Sequence, residues 1–255
     1  MTKWIEQVSI GRTKDLRARA AASYAVAELT AALQRKSTVR LVAATGASQI
    51  EFLEYVTSTP GVDWKRVELF HLDEYIGFGM DHPASFARYI KERIIERTGI
   101  VKFHLLDGSA NPDETIRSAN EEIRSAPVDL AFVGIGENGH LAFNDPPADF
   151  DIEDPYIIVN LDDACRRQQV GEGWFKSIED VPPRAISMSV QQILKAESIV
   201  CTVPDERKAK ALKAAILGPV TPEVPASILR NHRKVKFFID APAAQLLVES
   251  AAAAE

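Results

Sequence analysis

The sequence predicts an α/β fold with a mainly parallel sheet that helices cover on both faces. Apolar residues alternate along the chain between helical spacing and short β-like runs. Those runs are almost wholly apolar, as in strands buried on both faces, and strands that alternate with helices form right-handed βαβ units. Hydrophobic residues make up 46% of the 255 residues, which suffices for the core of one domain over 1–255.

The first half of the chain contains four predicted helices that alternate with four predicted strands. The first helical stripe consists of Leu16, Ala20, Tyr24, Ala27 and Ala31. That helix is expected to end near residue 37. The strands are predicted at 39–44, 67–72, 101–106 and 129–133, and the helices between them at 50–56, 85–95 and 112–124. This regular alternation is typical of α/β proteins.

The second half continues the alternation but includes one long polar stretch. Strands are predicted at 156–160, 185–189, 198–203 and 235–239, with a helix at 206–217. We therefore expect about eight strands in all. Residues 162–174 are polar, and a lid is expected within 147–174. The Ala-rich residues 251–254 are predicted to be a frayed helix terminus.

Charge and cysteine usage exclude several classes of protein. Thirty Lys plus Arg stand against 36 Asp plus Glu, and there is no long basic run, so no nucleic-acid partner is expected. No apolar run approaches the roughly 18 residues that span a bilayer. Residues 1–15 lack the apolar region of a secretory signal. Cys165 and Cys201 have no metal-ligand spacing, so we expect a cytoplasmic protein without a membrane partner.

Three polar segments follow predicted strands, where parallel sheets bind their ligands. The first is Thr45-Gly46-Ala47-Ser48. Gly46 permits a tight turn, and free backbone N–H groups at the next helix could hold an anion. The alternative is a plain turn in which Ser48 caps the helix. The segment is not a Walker A loop, because no Gly-Lys-Ser/Thr follows it.

The second segment contains two adjacent carboxylates, Asp73 and Glu74, directly after an apolar strand. One of them could act as a general base at the floor of a cleft. The alternative is a helix cap or a turn.

The third segment, residues 134–147, contains GxGxxG, but Pro146-Pro147 leave too little room for the helix of a dinucleotide fold. His140 lies there with Asn138 and Asp145, and a histidine near a carboxylate suits proton transfer. No GxSxG elbow occurs, and the five histidines have no metal-ligand spacing. Acid–base chemistry without metal or cofactor is therefore predicted.

Taken together, these segments resemble the glucosamine-6-phosphate deaminase family. FHLDEYIG at 70–77 with DHPASF at 81–86 is similar to its second motif, and GIGENGHLAFN at 134–144 is similar to its central one. The resemblance extends from the 45–48 loop to residues 205–209. It implies a Rossmann-like fold of the deaminase and ribose-5-phosphate isomerase kind. The wider kin are 6-phosphogluconolactonases, but the ending Ala-Phe-Asn is closer to the deaminases.

The resemblance also implies roles for individual residues. Asp73 would move the proton between C1 and C2 of glucosamine 6-phosphate, giving fructose 6-phosphate and ammonia. His140 would serve ring opening, oriented by Asp145 and positioned with the help of Asn138. The loop Thr45, Gly46, Ala47 and Ser48, together with Lys208, would hold the sugar phosphate.

Some residues depart from the family pattern. Asn138 stands where many deaminases have Asp, and Asp145 where they have Glu. The family usually places a phosphate-binding arginine before an aromatic residue, but this chain has Glu172 and Gly173 there. Either Arg166 or Arg167 is expected to compensate, unless the substrate differs.

Two alternative functions stay open: 6-phosphogluconolactonase, and a catalytically silent sugar-phosphate sensor. A homo-oligomer is also left open, because relatives include monomers, trimers and hexamers.

Overall fold

A seven-stranded sheet forms the centre of the protein, and each neighbouring pair of its strands is parallel. The computed structural model describes residues 6–252. Their strands are β1 (Val8–Gly11), β2 (Val39–Ala43), β3 (Val67–His71), β4 (Asp73–Tyr75), β5 (Lys102–His104), β6 (Leu130–Val133), β7 (Tyr156–Asn160), β8 (Arg184–Met188), β9 (Ser198–Val203) and β10 (Val235–Asp240). The order in the large sheet is β1-β10-β9-β6-β2-β3-β5. The predicted parallel sheet is confirmed.

Helices cover both faces of this sheet. They are α1 (Lys14–Arg35), α2 (Ile50–Ser58), α3 (Phe86–Ile90), α4 (Glu96–Thr98), α5 (Pro112–Arg124), α6 (Asp163–Gly171), α7 (Val190–Leu194), α8 (Ala209–Leu217) and α9 (Ala241–Ala252). A π-helical turn at Lys91–Ile95 joins α3 to α4. Within β2, Leu41 packs in the same cluster as Leu29 of α1, whereas Val42 packs with Leu212 of α8. This alternation shows that the two faces of β2 contact different helices.

A second sheet of three antiparallel strands, β4-β8-β7, was not expected. The predicted strand 67–72 divides here: β3 ends at His71, and Asp73 pairs with Ser187 of β8. Met188 N–H donates to the Leu72 carbonyl at 2.9 Å and fixes this crossing between the sheets. Beyond the crossing, Asp73 lines a cavity at the carboxyl edge of the large sheet.

Other differences from the predictions lie in short or polar elements. With β1 and β4, the described residues contain ten strands rather than eight. The polar stretch 162–174 contains the helix α6, whose first turn Asp162 caps by accepting from Cys165 N–H. The predicted lid region, 147–174, thus contains β7 and α6, and its movement stays a prediction. Part of the predicted frayed end, 253–254, lies outside the described residues.

The membrane prediction concerns helix length and polarity. Within residues 6–252, no helix combines the length and the apolar character needed to cross a membrane.

Candidate active site

The three polar segments meet in one cavity at the carboxyl edge of the large sheet. The loop 44–49 follows β2, residues 134–143 follow β6, and Lys208 follows β9. Asp73 of β4 lines the same cavity, and the end of α6 closes one side of it. The topology therefore brings together residues that are far apart in the sequence, as expected for ligand sites in parallel sheets.

The two adjacent carboxylates, Asp73 and Glu74, have different surroundings. Glu74 accepts hydrogen bonds from Ser85 Oγ at 2.8 Å, Phe86 N–H at 3.1 Å and Ala87 N–H at 2.7 Å, so it caps the start of α3. Despite these bonds, burial raises the pKa of Glu74 to about 7. Glu74 thus takes the structural role, and only Asp73 lines the cavity.

Asp73 is a buried carboxylate without a compensating partner. It is 5% exposed, and among residues 6–252 no group donates a hydrogen bond to its side chain or forms an ion pair with it. Burial, together with the neighbouring charge of Glu74, raises the pKa of Asp73 to about 8. A carboxylate of this kind is a stronger base than an exposed one and suits proton abstraction near neutral pH.

His140 faces the same cavity and is paired with an acid. Its Nδ1 lies 3.2 Å from Asp145 Oδ1, with an angle too bent for a full hydrogen bond. Catalytic bonds of this kind often straighten only when substrate binds. Asp145 also accepts from Asn138 Nδ2 at 2.9 Å and from Asp162 N–H at 2.9 Å. Burial raises the pKa of Asp145, but the nearby imidazole of His140 and the hydrogen bonds from Asn138 and the Asp162 backbone outweigh it and hold that pKa below its usual value.

The glycines of the 134–139 segment make room for the imidazole ring. A Cβ atom on Gly136 would lie 2.2 Å from His140 Nε2, and Gly139 has a φ of +89°. The backbone of His140 is held by Gly136 N–H, which donates to its carbonyl, and by Asn138 Oδ1, which accepts from its N–H at 3.0 Å. The glycine spacing therefore seats a histidine and does not serve a dinucleotide.

The loop Thr45 to Ser48 also lines the cavity. Gly46 has a φ of +87°, and a short 3₁₀ turn at Ala47–Gln49 leads into α2. Lys208, at the start of α8, is only 2% exposed, and it also lines the cavity. Burial lowers the pKa of Lys208, while the nearby carboxylate of Glu172 opposes this. The structure thus brings the loop and the lysine together in one cavity, and their binding of a phosphate stays a prediction.

The two arginines that were expected to compensate lie elsewhere. Arg166 donates to the carbonyls of Ile178 at 2.6 Å and Val181 at 3.2 Å, and Arg167 is exposed beside Asp163. Neither lines the cavity with the loop. The helical register of α6 directs them away from it, so this geometry corrects the expectation that one of them replaces the family arginine.

Two residues of α6 at the cavity wall, Gln168 and Gln169, were not predicted from the sequence. Gln168 accepts from Glu137 N–H at 2.8 Å, and Gln169 accepts from Tyr75 Oη at 2.8 Å. The carboxylate of Glu172, directly after α6, accepts from Ala47 N–H of the 45–48 loop and from the side chains of Gln168, Trp174 and Lys208. The cap at 162 and the helical spacing of 165, 168, 169 and 172 could have identified this helix.

Two clusters among the described residues hold three potential metal donors each. In the first, formed by His140, Asp145 and Cys165, burial raises the pKa of the Cys165 thiol, which disfavours the thiolate that a metal requires. In the second, Glu68 is already paired with Lys102 at 3.0 Å. The donor chemistry of neither cluster favours a metal.

Comparison with known proteins identifies the family. The sequence profile of a family described as "Glucosamine-6-phosphate isomerases/6-phosphogluconolactonase" matches residues 12–238 of this chain. The chain belongs to this family. Within the family, it is 36% identical over 205 residues to a glucosamine-6-phosphate deaminase of Streptococcus pneumoniae (strain 70585), covering 80% of this chain and 85% of that protein. The predicted family resemblance is confirmed.

Solved structures of family members have the same architecture. A monomeric glucosamine-6-phosphate deaminase superposes with a TM-score of 0.86 and 26% identity, over 94% of this chain and 99% of that one. A 6-phosphogluconolactonase from Thermotoga maritima gives a TM-score of 0.76 at 17% identity, over 91% of this chain and 98% of that one. The second comparison shows a shared fold alone.

Proposed function

We propose that this protein converts glucosamine 6-phosphate, or a close amino-sugar phosphate, into fructose 6-phosphate and ammonia. The observation that carries the proposal is the unpaired carboxylate of Asp73 in one cavity with His140 and Lys208. The 36% identity to a deaminase supports the same reaction. Isomerisation with deamination needs a base for a carbon-bound proton, and Asp73 suits this task.

The reaction can be written with these residues. The phosphate binds toward the 45–48 loop and Lys208, which places the sugar ring toward Asp73 and His140. His140 moves the proton that opens the ring, while Asp145 orients the imidazole. Asp73 then takes the proton from C2 and returns it to C1. Water adds to the resulting imine at C2, ammonia leaves, and fructose 6-phosphate is formed.

Asn138 and Asp145, two residues that depart from the family pattern, make contacts that suit these steps. Asn138 bridges Asp145 and Asp162 with donor distances of 2.9 and 3.1 Å, so an amide at this position holds the acid of the pair. Asp145, although shorter than the Glu of many relatives, reaches the ring of His140. These contacts support the roles proposed for the two departures from the family pattern.

The proposal is tested by incubating the protein with glucosamine 6-phosphate and measuring ammonia and fructose 6-phosphate together. His140→Ala is expected to abolish most of the product, whereas Arg167→Ala, an exposed change on α6, is expected to leave it unchanged. Absence of both products at high protein concentration would overturn the proposal. Hydrolysis of 6-phosphogluconolactone would then support the lactonase, and sugar-phosphate binding without turnover would support the sensor.

Location and assembly belong to this proposal too. We infer a cytoplasmic enzyme, because a charged sugar phosphate does not cross a membrane unaided. Sedimentation of the purified chain distinguishes a monomer from a homo-oligomer.

A further inference from the structure

The carboxylate of Glu172 lies at the phosphate end of the cavity. Its Oε2 accepts from Ala47 N–H at 3.5 Å and from Trp174 Nε1 at 3.3 Å. Ala47 belongs to the loop of residues 45–48, which is called the anion loop below because it is expected to bind the phosphate. Glu172 Oε1 accepts from Gln168 Nε2 at 2.8 Å and from Lys208 Nζ at 3.5 Å. The loop N–H and the buried lysine are two of the groups expected to bind a phosphate, and both already contact an anion of the protein itself.

The charges at this end of the cavity do not favour a further anion. Lys208 lines the cavity beside the loop, with Glu172 at 3.5 Å and Glu137 at 4.0 Å from its Nζ. Arg207 is partly exposed, and its side chain is engaged by Glu137 at 3.3 Å and by Asp205 at 3.2 Å. A phosphate dianion that entered next to Glu172 would meet a like charge in a site shielded from water, which costs affinity.

The backbone around Glu172 and an adjoining cavity leave room for its side chain to move. Glu172 stands between Gly171 and Gly173, and Gly173 has a φ of +83° with open space around its Cβ position. A smaller cavity adjoins the first, and its charged lining residues besides Glu172 and Lys208 are Lys14, Arg207, Glu51 and Asp205. A carboxylate that swung out of the loop would stay near Lys14 and Arg207, both of which already form ion pairs with Asp205.

We infer that Glu172 is an internal ligand of the phosphate site, which competes with the phosphate of the substrate and thereby sets the affinity for it. The inference rests on the proposed function for the identity of the substrate. The unliganded site is closed by its own carboxylate, and substrate binding displaces Glu172 toward the adjoining cavity. Every phosphate ligand meets the same cost, so Glu172 lowers the affinity of the site for all of them.

The test measures binding of inorganic phosphate by calorimetry to the wild type and to Glu172→Gln. The variant removes the charge and keeps the shape of the side chain. We expect its Kd for phosphate to fall by about tenfold or more, because a like charge leaves the anion site. Equal affinity, within about twofold, would overturn the inference.

Glu137→Gln is the matched control. It removes a carboxylate at similar distance from Lys208, but Glu137 lies outside the cavity that contains the loop. Its effect on phosphate affinity is expected to be much smaller than that of Glu172→Gln, because it removes only background charge. Effects of equal size in the two variants would contradict a special role for Glu172.

Glu172→Asp provides a second variant if Glu172→Gln does not fold. It keeps the charge but is one methylene shorter, so it loses contact with Ala47 N–H first. An intermediate phosphate affinity is expected, and wild-type affinity would count against the inference.

Deamination assays separate this inference from the proposed function. If neither protein releases ammonia but Glu172→Gln binds phosphate more tightly, the proposed function fails and the internal ligand stands. If both proteins release ammonia with equal KM and equal phosphate affinity, the internal ligand fails and the function stands.

Discussion

Glu68 and Asp73 are buried carboxylates on one short stretch of chain, with 4% and 5% of their surfaces exposed. Glu68 lies at the middle of a row across three strands, because β3 pairs with β2 at Arg40 and with β5 at Lys102. Its oxygens contact Arg40 Nε at 3.3 Å and Lys102 Nζ at 3.0 Å, and His104 lies at 2.8 Å. Burial raises the pKa of Glu68, but these partners outweigh it and leave that pKa below its usual value.

Asp73 is buried to the same extent, but its pKa is raised whereas that of Glu68 is lowered. It lies just beyond the carboxyl end of β3, and the nearest charge that acts on it is the like charge of Glu74. Its pKa is raised to about 8. The difference between the two sites teaches that burial alone does not mark a catalytic acid. A buried carboxylate with cations supports the fold, whereas one left without them on a cavity is available for proton transfer.

Removing the unpaired carboxylate is expected to give the largest effect on activity. Asp73→Asn should lower kcat for deamination by about 10³-fold, because general-base catalysis is lost. The melting temperature should stay the same or rise, since no partner is left behind. Steady-state kinetics and thermal unfolding check both points, and a kcat near the wild-type value would show that Asp73 is not the base.

Removing the paired carboxylate is expected to act on stability. Glu68→Gln leaves Arg40 buried without its charge partner, which should cost about 3 kcal/mol of unfolding free energy. Because Glu68 does not line the cavity, kcat at a temperature where the variant is folded should be unchanged. Denaturant unfolding measures the first and the ammonia assay the second. A large fall in kcat with unchanged stability would invert the comparison.

Lys208, the cation expected to bind the phosphate of the substrate, should affect substrate affinity. Lys208→Met should raise KM about tenfold or more, because a charge-assisted hydrogen bond to phosphate is lost, with a smaller change in kcat. The exposed Lys210→Met on the same helix serves as its control. An unchanged KM for Lys208→Met would show that the phosphate of the substrate does not bind beside Lys208.

The last expected effect is a pH dependence of stability. Asp73 keeps its proton up to a pH of about 8 in the folded protein, but only up to about 4 when unfolded. Between these values the folded state binds more protons, so its stability is full at low pH and is lost as pH rises through 8. Over pH 5 to 9, the wild type should lose on the order of 4 kcal/mol more unfolding free energy than Asp73→Asn, because stability falls by about 1.4 kcal/mol per pH unit between 5 and 8. Parallel pH profiles of the two proteins would contradict the raised pKa.

The sequence predicts the elements that carry their own signals. Pro112–Arg124 has an Asn cap and a proline at its start, and Ser198–Val203 is a buried apolar run; both have the predicted bounds. The break between β3 and β4 was not predictable, because the apolar run continues through Leu72 and only the pairing with β8 ends the strand. Local propensity gave way there to tertiary pairing.

The site was predicted by residue type but not by geometry. Polar residues after strands identified Asp73, His140 and the anion loop, and the structure brings them to one cavity. The division between Asp73 and Glu74 depends on where the start of α3 docks, which no local pattern reveals. The contact of Glu172 with a loop 125 residues earlier in the chain is likewise set by the tertiary fold.

The central claim is that Asp73 is a base whose pKa is raised by uncompensated burial. It is tested most directly by a carbon-13 NMR titration of the Asp and Glu carboxyl groups, with Asp73→Asn and Glu68→Gln to assign the two signals. The account predicts a midpoint near 8 for Asp73 and one below the usual value for Glu68. A midpoint for Asp73 near the 3.8 of an ordinary aspartate would contradict it.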